Sequence, residues 1–322
     1  MSGEDPQSMV TGMTGKERIL TTLRFEQPDH PPHFEVMFEL EKEAFGLSFP
    51  ERAAWDSCSA SEKERMIGSC VEIYARIVER YKWDGLAVYW PWSDPEGVAA
   101  VKKSLSGDLF IGGIVGDSTW SIDHIHDWEA FSVNLAEHPE VLHEEARSMS
   151  RRALGLIDRM VDAGADFVHL VNDVAFNAGP FISPAQFHDL VTPYLAEQVR
   201  RVRERGAVPF VHTDGNIMSV LDDYLSLGAA CFQSVDPMAG MDIVETKRRC
   251  QGRMALMGNV QCSLLQDGPL EEIRRSALYC LENASPGGGY IFGTSNTIFP
   301  GMPLENYEYM LSVYREFCGR GV

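Results

Sequence analysis

Hydrophobic positions along the chain fall into short apolar runs separated by longer stretches with helical periodicity. The runs are compact and nearly continuous in apolar residues, which is typical of strands that are buried on both faces of a sheet. Eight strands are predicted, at residues 32–38, 85–90, 109–115, 167–172, 208–212, 229–233, 254–257 and 290–292.

The stretches between these runs predict amphipathic helices, and several begin with recognisable signals. Thr14 is placed to cap a first helix. Ser183, Pro184 and Gln186 combine a cap, a first-turn proline and a glutamine at the third helical position. The other predicted helices cover residues 61–82, 139–163, 184–205, 217–227, 242–250, 269–283 and 303–318.

The alternation of strands and helices predicts an α/β fold, a single-domain (β/α)8 or TIM barrel with loop insertions. A doubly wound open sheet is the alternative, but no glycine-rich phosphate-binding sequence follows the first strand. We expect the barrel to span residues 14–320 and residues 1–13 to form a disordered tail. The segment at 91–138 is less regular, and a long insertion at 120–127, after the third strand, is expected to build a lid or a substrate wall.

The charge balance limits the choice of partners. With 47 acidic and 28 basic residues the net charge is −19, which disfavours nucleic acid, an anionic membrane surface and a polyanionic substrate. Seven cysteines without CxxC spacing indicate reduced thiols and a cytoplasmic protein. No apolar stretch approaches the ~20 residues that a membrane-spanning helix needs.

Polar residues cluster at the predicted carboxyl ends of the strands, where barrel enzymes carry their chemistry. The strand at 208–212 ends in His212 and is followed by Asp214, and the strand at 167–172 is followed by Asp173. An imidazole and two carboxylates are suited to acid–base work, so Asp173, His212 and Asp214 are the predicted catalytic residues. The structural alternatives are a turn-capping role for Asp173 and a hydrogen-bonded His212–Asp214 pair that orients substrate.

Two further expectations concern these residues. Burial against Phe176 and Phe181 would raise the pKa of Asp173 and make it a proton donor. His212, Asp214 and Cys262 are a predicted metal site, since imidazole, carboxylate and thiolate all bind Zn²⁺.

A second set of strand-end residues is predicted to bind substrate. Tyr89 and Trp90 would form a wall for a flat ring, whereas His169 is expected to be a core histidine with satisfied partners. The predicted substrate-binding residues are Glu35, Tyr89, Trp90, Asn172, Asn216, Gln233, Asn259 and Asn296.

Six short motifs carry a resemblance to a known family. They are GAD at 164–166, ISPAQF at 182–187, HTDGN at 212–216, MGN at 257–259, GGGYI at 287–291 and PLEN at 303–306. With these motifs the chain resembles the uroporphyrinogen decarboxylase superfamily, which includes cobalamin-dependent methyltransferases and O-demethylases. The resemblance implies a (β/α)8 barrel.

The sequence departs from the pattern of this family at two places. Decarboxylases carry an arginine-rich segment after the first strand, where residues 34–43 here read FEVMFELEKE, and acids repel a substrate with many carboxylates. Thiol-methylating members hold zinc with a His-x-Cys pair and a later Cys, which align with His212, Asp214 and approximately Asn296. The oxygen-richer set favours an oxygen-bound or nitrogen-bound methyl group.

The resemblance therefore implies a corrinoid-dependent methyltransferase of the O-demethylase type. It would move a methyl group between a small aromatic methoxy compound and cobalamin carried by a partner corrinoid protein, and whether Zn²⁺ is a second cofactor is left open. The alternatives are uroporphyrinogen decarboxylase, a methylcobalamin:tetrahydrofolate or thiol methyltransferase, and a non-catalytic ligand-binding barrel. Whether the chain forms a homodimer is left open.

Overall fold

A computed structural model describes residues 12–91, 93–105, 107–250 and 252–319. Most of the predicted tail at 1–13 lies outside these residues. Within them, no helix has the length and apolar character needed to cross a bilayer. The domain boundaries and the cytoplasmic location stay predictions.

The core of the fold is a parallel sheet of seven strands in the order β1-β2-β3-β6-β7-β8-β9. All neighbouring strands in it are parallel, which confirms the predicted α/β class. A two-residue hairpin, β4–β5, follows β3. The strands are β1 (Gly85–Val88), β2 (Phe110–Gly116), β3 (Phe167–Val171), β4 (Ala175–Phe176), β5 (Gly179–Pro180), β6 (Val208–His212), β7 (Cys231–Gln233), β8 (Ala255–Val260) and β9 (Tyr290–Thr294).

Helices connect the strands and pack on the sheet, as α7 does on β2 and β3 and α13 on β8. Short 3₁₀ turns lie at Ile122–His124 and Pro237–Ala239. The α-helices are α1 (Gly15–Leu23), α2 (Glu41–Phe45), α3 (Arg52–Ser57), α4 (Ala60–Tyr81), α5 (Pro95–Leu105), α6 (Trp128–Glu137), α7 (Pro139–Asp162), α8 (Pro184–Leu190), α9 (Thr192–Glu204), α10 (Leu221–Leu227), α11 (Ile243–Cys250), α12 (Cys262–Asp267), α13 (Leu270–Ala284) and α14 (Leu304–Phe317).

The predicted strand at 32–38 is not a regular strand. It makes two isolated parallel bridges, His33 with Phe292 and Phe38 with Ile298. On its other side, the backbone N–H of Asp84 donates to the His33 carbonyl at 2.8 Å. The segment therefore touches β9 at Phe292 and, on its other side, Asp84, which precedes β1. The described residues form a sheet of seven strands rather than the expected eight.

Local chemistry explains why a continuous ladder does not form there. Pro32 has no N–H to donate to a neighbouring strand. The N–H of Thr294 at the end of β9 donates to the side-chain Oε2 of Glu35 at 2.9 Å, not to a backbone carbonyl. A side chain thus replaces one of the bonds that the ladder would need.

Aromatic rings fill the concave side of the sheet at the start of the strands. Phe167 stacks on Phe110 with ring centroids 5.0 Å apart, and its centroid lies 4.9 Å from that of Phe210. It also lies 5.9 Å from the ring centroid of Phe34, in the segment at 32–38. A Cβ at Gly112 would lie 2.5 Å from the Phe167 ring, so only glycine fits beside it. This apolar layer forms a floor beneath the polar strand ends.

The predicted helices are mostly confirmed, and so are the caps at Thr14 and Ser183. The helix predicted at 184–205 is divided into α8 and α9 at Val191 because Pro193 cannot supply an N–H to the preceding turn. The region at 91–138 also contains α5 and α6, which were not predicted. Asp94 starts α5, since its carboxylate accepts the N–H of Glu96 at 2.8 Å.

Candidate active site

The end of β6 and the turn after it place His212 and Asp214 side by side. Thr213 fixes the turn, because its hydroxyl accepts the backbone N–H of Val174 at 2.9 Å. Gly215 has φ +79°, and a Cβ there would lie 2.2 Å from the carbonyl oxygen of Ala175. The turn therefore needs glycine in order to pack against the hairpin that follows β3.

The imidazole of His212 is buried and held from both nitrogens. Nδ1 is hydrogen-bonded to the side-chain oxygen of Gln233, which only accepts, so Nδ1 carries a proton. Nε2 lies 3.4 Å from Oδ1 of Asp173 and 3.8 Å from Oδ1 of Asp214. The second nitrogen therefore faces two carboxylates.

Neighbouring groups orient the two carboxylates. The backbone N–H of Asp214 donates to Oδ1 of Asp173 at 3.0 Å. The Ser234 hydroxyl lies 3.0 Å from Oδ1 of Asp214, and the Asn296 amide donates to Oδ2. The ends of strands β3, β6, β7 and β9 thus meet at one cluster.

The pKa values of the two carboxylates in this cluster are shifted in opposite directions. Burial acts to raise the pKa of Asp173, but the hydrogen bond and the positive charge of His212 outweigh it and hold the pKa below its ordinary value. The expectation that burial makes Asp173 a proton donor is therefore wrong. Burial and the Asp173 charge raise the pKa of Asp214 against the opposing effect of His212. Burial lowers the pKa of His212, but its carboxylate partners raise it above the ordinary value.

The same three residues have the geometry of a metal site. Asp173, His212 and Asp214 each offer one ligand atom, and these three atoms all lie within 4.8 Å of one another. Nitrogen and carboxylate oxygen are ligands that Zn²⁺ accepts, and the Gln233 bond to Nδ1 leaves Nε2 available to a metal. The group does not include Cys262, and Asp173 stands where that thiol was expected.

Cys262 lies at the start of α12, outside the cluster. Its Sγ is 3.8 Å from the carbonyl oxygen of Thr297, and its N–H donates to the Ser295 hydroxyl at 3.4 Å. Burial raises the pKa of the thiol to about 11, which makes the thiolate costly there.

Several predicted substrate-binding amides are engaged within the fold. Oδ1 of Asn172 accepts the backbone N–H of Ser118 at 3.0 Å, and Nδ2 donates to the Ser118 hydroxyl at 2.8 Å. The Asn216 amide donates to the carbonyl of Ala239 at 3.0 Å. The Asn259 amide donates to a backbone carbonyl of the β7–α11 loop at 2.7 Å. These three side chains hold the loops at the strand ends together.

Glu35 lies apart from the cluster, against the end of β9. Its Oε2 accepts both the N–H and the hydroxyl of Thr294, at 2.9 and 2.7 Å. Burial raises its pKa to about 8 despite these two bonds. Oε1 is buried and has no hydrogen-bond partner among the described residues.

Two cavities open near the strand ends. One of about 260 Å³ includes Tyr89 and Trp90 in its wall. The other, of about 280 Å³, lies beside the cluster and is lined by Asp236, Met238, Cys262, Ser263, Gln266, Ser295, Asn296 and Phe299.

Two residues near the cluster were missed or misread in the sequence. Ser234 directly follows the end of β7, so its position was a signal for a site residue. His169 was expected to have satisfied partners, yet its buried Nε2 has none among the described residues. Its ring centroid lies 6.0 Å from that of His212, which makes it part of the floor of the site.

The comparisons with known proteins agree with this architecture. The family model for uroporphyrinogen decarboxylase (URO-D) matches residues 96–317, and the chain belongs to this family. In fold it is similar to a methyltransferase from Methanosarcina mazei, with a TM-score of 0.76 at 18% identity over 95% of this chain and 99% of that one.

Curated relatives of two kinds are similar in sequence. A uroporphyrinogen decarboxylase from Coxiella burnetii (strain Dugway 5J108-111) is 24% identical over 186 residues, 57% of this chain and 49% of the relative. The methylcobamide:CoM methyltransferase MtaA from Methanosarcina barkeri is 26% identical over 227 residues, 69% of this chain and 62% of the relative. The matches thus span about half to three fifths of these relatives.

Proposed function

We propose that this chain is a corrinoid-dependent methyltransferase of the O-demethylase type. It moves a methyl group between a small aromatic methoxy compound and the cobalamin of a partner corrinoid protein. The observation that carries the proposal is the cluster of Asp173, His212 and Asp214 at the carboxyl ends of the strands. A relative named for a methylcobamide reaction supports the same class.

The cluster supplies what a departing oxygen needs. In demethylation the methyl carbon–oxygen bond breaks, its electron pair stays on the oxygen, and the methyl group passes to the cobalt of reduced cobalamin. His212, whose pKa is raised, can give its Nε2 proton to that oxygen. Asp173, whose pKa is lowered, stays ionised and stabilises the imidazolium.

As an alternative to proton donation by His212, the three residues fit a zinc ion, which would be held by the deprotonated Nε2 of His212 and one oxygen each of Asp173 and Asp214. When bound, zinc supplies a Lewis acid for the leaving oxygen. The chain's own contribution is orientation, since Gln233 fixes the histidine tautomer and Asn296 fixes the Asp214 carboxylate.

The cavity of about 280 Å³ is our proposed substrate site because Asn296 lines it and also bonds Asp214. Its volume is at the small end of ligand pockets, which run from ~300 to ~1,000 Å³, and suits a single substituted ring. Met238 and Phe299 supply apolar wall. Of the predicted binding amides, only Asn296 and Gln233 contact the cluster directly.

The fold of the proposed enzyme is a (β/α)8 barrel over residues 14–320. In this proposal the segment at 32–38 takes the place of the eighth strand. Its bridges to Phe292 and Ile298 and its hydrogen bond from Asp84 support the closure, since they tie it to the surroundings of both edge strands.

Uroporphyrinogen decarboxylation is the rival activity, because several relatives carry that name. The described residues that line the two cavities include no Lys, Arg or His, whereas they include Glu39, Glu41 and Asp236. A substrate with many carboxylates would meet uncompensated repulsion there.

The deciding experiment compares the two reactions on the same protein. One assay follows the absorbance change as free cob(I)alamin is methylated by methoxyarenes. The other follows formation of coproporphyrinogen from uroporphyrinogen. We expect protein-dependent methylation of cobalamin, and coproporphyrinogen formation without cobalamin methylation would overturn the proposal.

A further inference from the structure

The cavity of about 260 Å³ at the end of β1 has aromatic walls. Phe49, Tyr89 and Trp90 line it, and the rings of Phe49 and Tyr89 meet edge-on with centroids 5.4 Å apart. The hydroxyl of Tyr89 is bonded to the backbone of Phe38, and Trp90 packs on Trp55 at 5.9 Å. These contacts hold the walls in place without a ligand.

Two carboxylates face this aromatic enclosure. Glu41 is 9% exposed and lines the cavity, as does Glu39. Oε1 of Glu41 accepts the backbone N–H of Phe49 at 3.1 Å, but the buried Oε2 has no hydrogen-bond partner among the described residues. Burial and the charge of Glu41 raise the pKa of Glu39. A positive charge in this cavity would therefore be stabilised by the two carboxylates.

The cavity wall does not supply that charge. Of the described residues that line it, none is Lys, Arg or His; the remaining ones are Met37, Ser93 and Pro300. A buried carboxylate oxygen without a donor costs free energy, and an incoming cation or N–H donor removes that cost.

We propose that this cavity binds a small organic cation of the ammonium class, with Glu41 as the counter-ion and the aromatic rings as walls. A hard metal ion prefers six or more oxygen ligands, which this wall does not offer. Aromatic faces instead attract an alkylammonium group through their π-electrons. The cavity shares no lining residue with the Asp173–His212–Asp214 cluster, so the site stands independently of the proposed reaction.

The test uses choline and its neutral analogue 3,3-dimethylbutan-1-ol, which replaces the charged nitrogen with carbon. Isothermal titration calorimetry measures both affinities, and the intrinsic tryptophan fluorescence, to which Trp90 contributes, gives a second signal. We expect choline to bind about tenfold or more tightly than the neutral analogue. Equal affinities, binding of neither compound, or binding of Ca²⁺ without choline would overturn the proposal.

Matched variants distinguish choline binding at this cavity from attraction by the net negative charge of the protein. Glu41→Gln keeps an oxygen for the Phe49 N–H and should weaken choline binding about tenfold. Glu43→Gln removes the same charge from an exposed neighbour and should leave binding unchanged. Equal weakening in both variants would contradict a specific site. If Glu41→Gln does not fold, Glu39→Gln makes the same test, because Glu39 also lines the cavity.

Discussion

Oδ1 of Asp173, which follows β3, lies 3.4 Å from Nε2 of His212, the last residue of β6. The contact is possible because β3 and β6 are neighbouring parallel strands, with Val171 beside His212 in the register. Since each residue favours the charged form of the other, the two form an ion pair between the ordinary pKa values of 3.8 and 6.5. The proton donation that we assign to the site depends on this ion pair, whereas a zinc ion would compete with the Nε2 proton of His212.

Asp173→Asn should lower stability only within a defined pH range. The pair contributes fully between the ordinary pKa values of 3.8 and 6.5. Its contribution is lost as pH falls through the lowered pKa of Asp173 and as pH rises through the raised pKa of His212. We expect a loss of about 1 kcal/mol in the free energy of unfolding within the range, since Asp173 is partly exposed.

The measurement is denaturant unfolding at several pH values. Asp189→Asn is the control, because Asp189 forms an exposed pair with His143 at 3.1 Å. A pH-independent loss in Asp173→Asn, or the same profile in the control, would contradict the ion pair.

Gln233→Met should weaken zinc binding without removing a ligand. Methionine has a similar volume but no amide oxygen, so Nδ1 of His212 loses its acceptor and the tautomer is no longer fixed. Loss of such a supporting contact typically costs about 10–100-fold in metal affinity. Competition with a chelating dye measures the affinity, which should also fall at low pH as protons compete for His212 Nε2. Unchanged affinity in Gln233→Met would argue against zinc at this nitrogen.

Glu35→Gln should remove a loss of stability that develops as pH rises from 4.5 to about 8. Because burial raises the pKa of Glu35 to about 8 from the ordinary 4.5, the protonated carboxyl stabilises the fold below pH 4.5 and this contribution is lost as pH rises through 8. The slope is at most about 1.4 kcal/mol per pH unit. Glutamine cannot ionise and can still accept the Thr294 N–H. The melting temperature of the variant should therefore vary less between pH 5 and 9, and parallel profiles would refute the raised pKa.

Gly215→Ala should destabilise the turn that carries Asp214. Its φ of +79° costs an L-residue about 1–2 kcal/mol, and the added Cβ would also strike the Ala175 carbonyl. Gly155→Ala is the control, since Gly155 lies within α7 with nothing within 4 Å of the added carbon. That change should stabilise by about 0.5–1 kcal/mol. Thermal melts of both variants measure the difference, and similar melting temperatures would refute the requirement for glycine.

The sequence predicts the sheet strands and the residues of the cluster, but it does not predict the structure at 32–38. Apolar runs locate all seven sheet strands of the described part of the chain, because buried parallel strands have few polar residues. The carboxyl ends of such strands must share one edge of the sheet. That rule places Asp173, His212 and Asp214 at the same edge of the sheet. It fails at 32–38, where the Glu35 side chain takes a hydrogen bond that belongs to the backbone in a regular strand.

The sequence does not determine in which direction the side chains at the strand ends point. Asn172 and Asn259 follow the same rule as Gln233, yet their amides bind neighbouring loops whereas that of Gln233 contacts His212. Turns after the strands set these directions, and their backbone angles depend on packing against other loops. For the same reason Cys262 was placed at the metal site in the position that Asp173 occupies.

In the proposed reaction, methyl transfer takes place at the Asp173–His212 pair. The most direct measurement is the rate of methylation of reduced corrinoid by methoxyarenes for the unmodified protein, His212→Ala and Asp173→Asn, with the exposed-histidine variant His188→Ala as control. We predict losses of about 100-fold or more in the first two variants and none in the control. Unchanged turnover in both His212→Ala and Asp173→Asn would contradict the account.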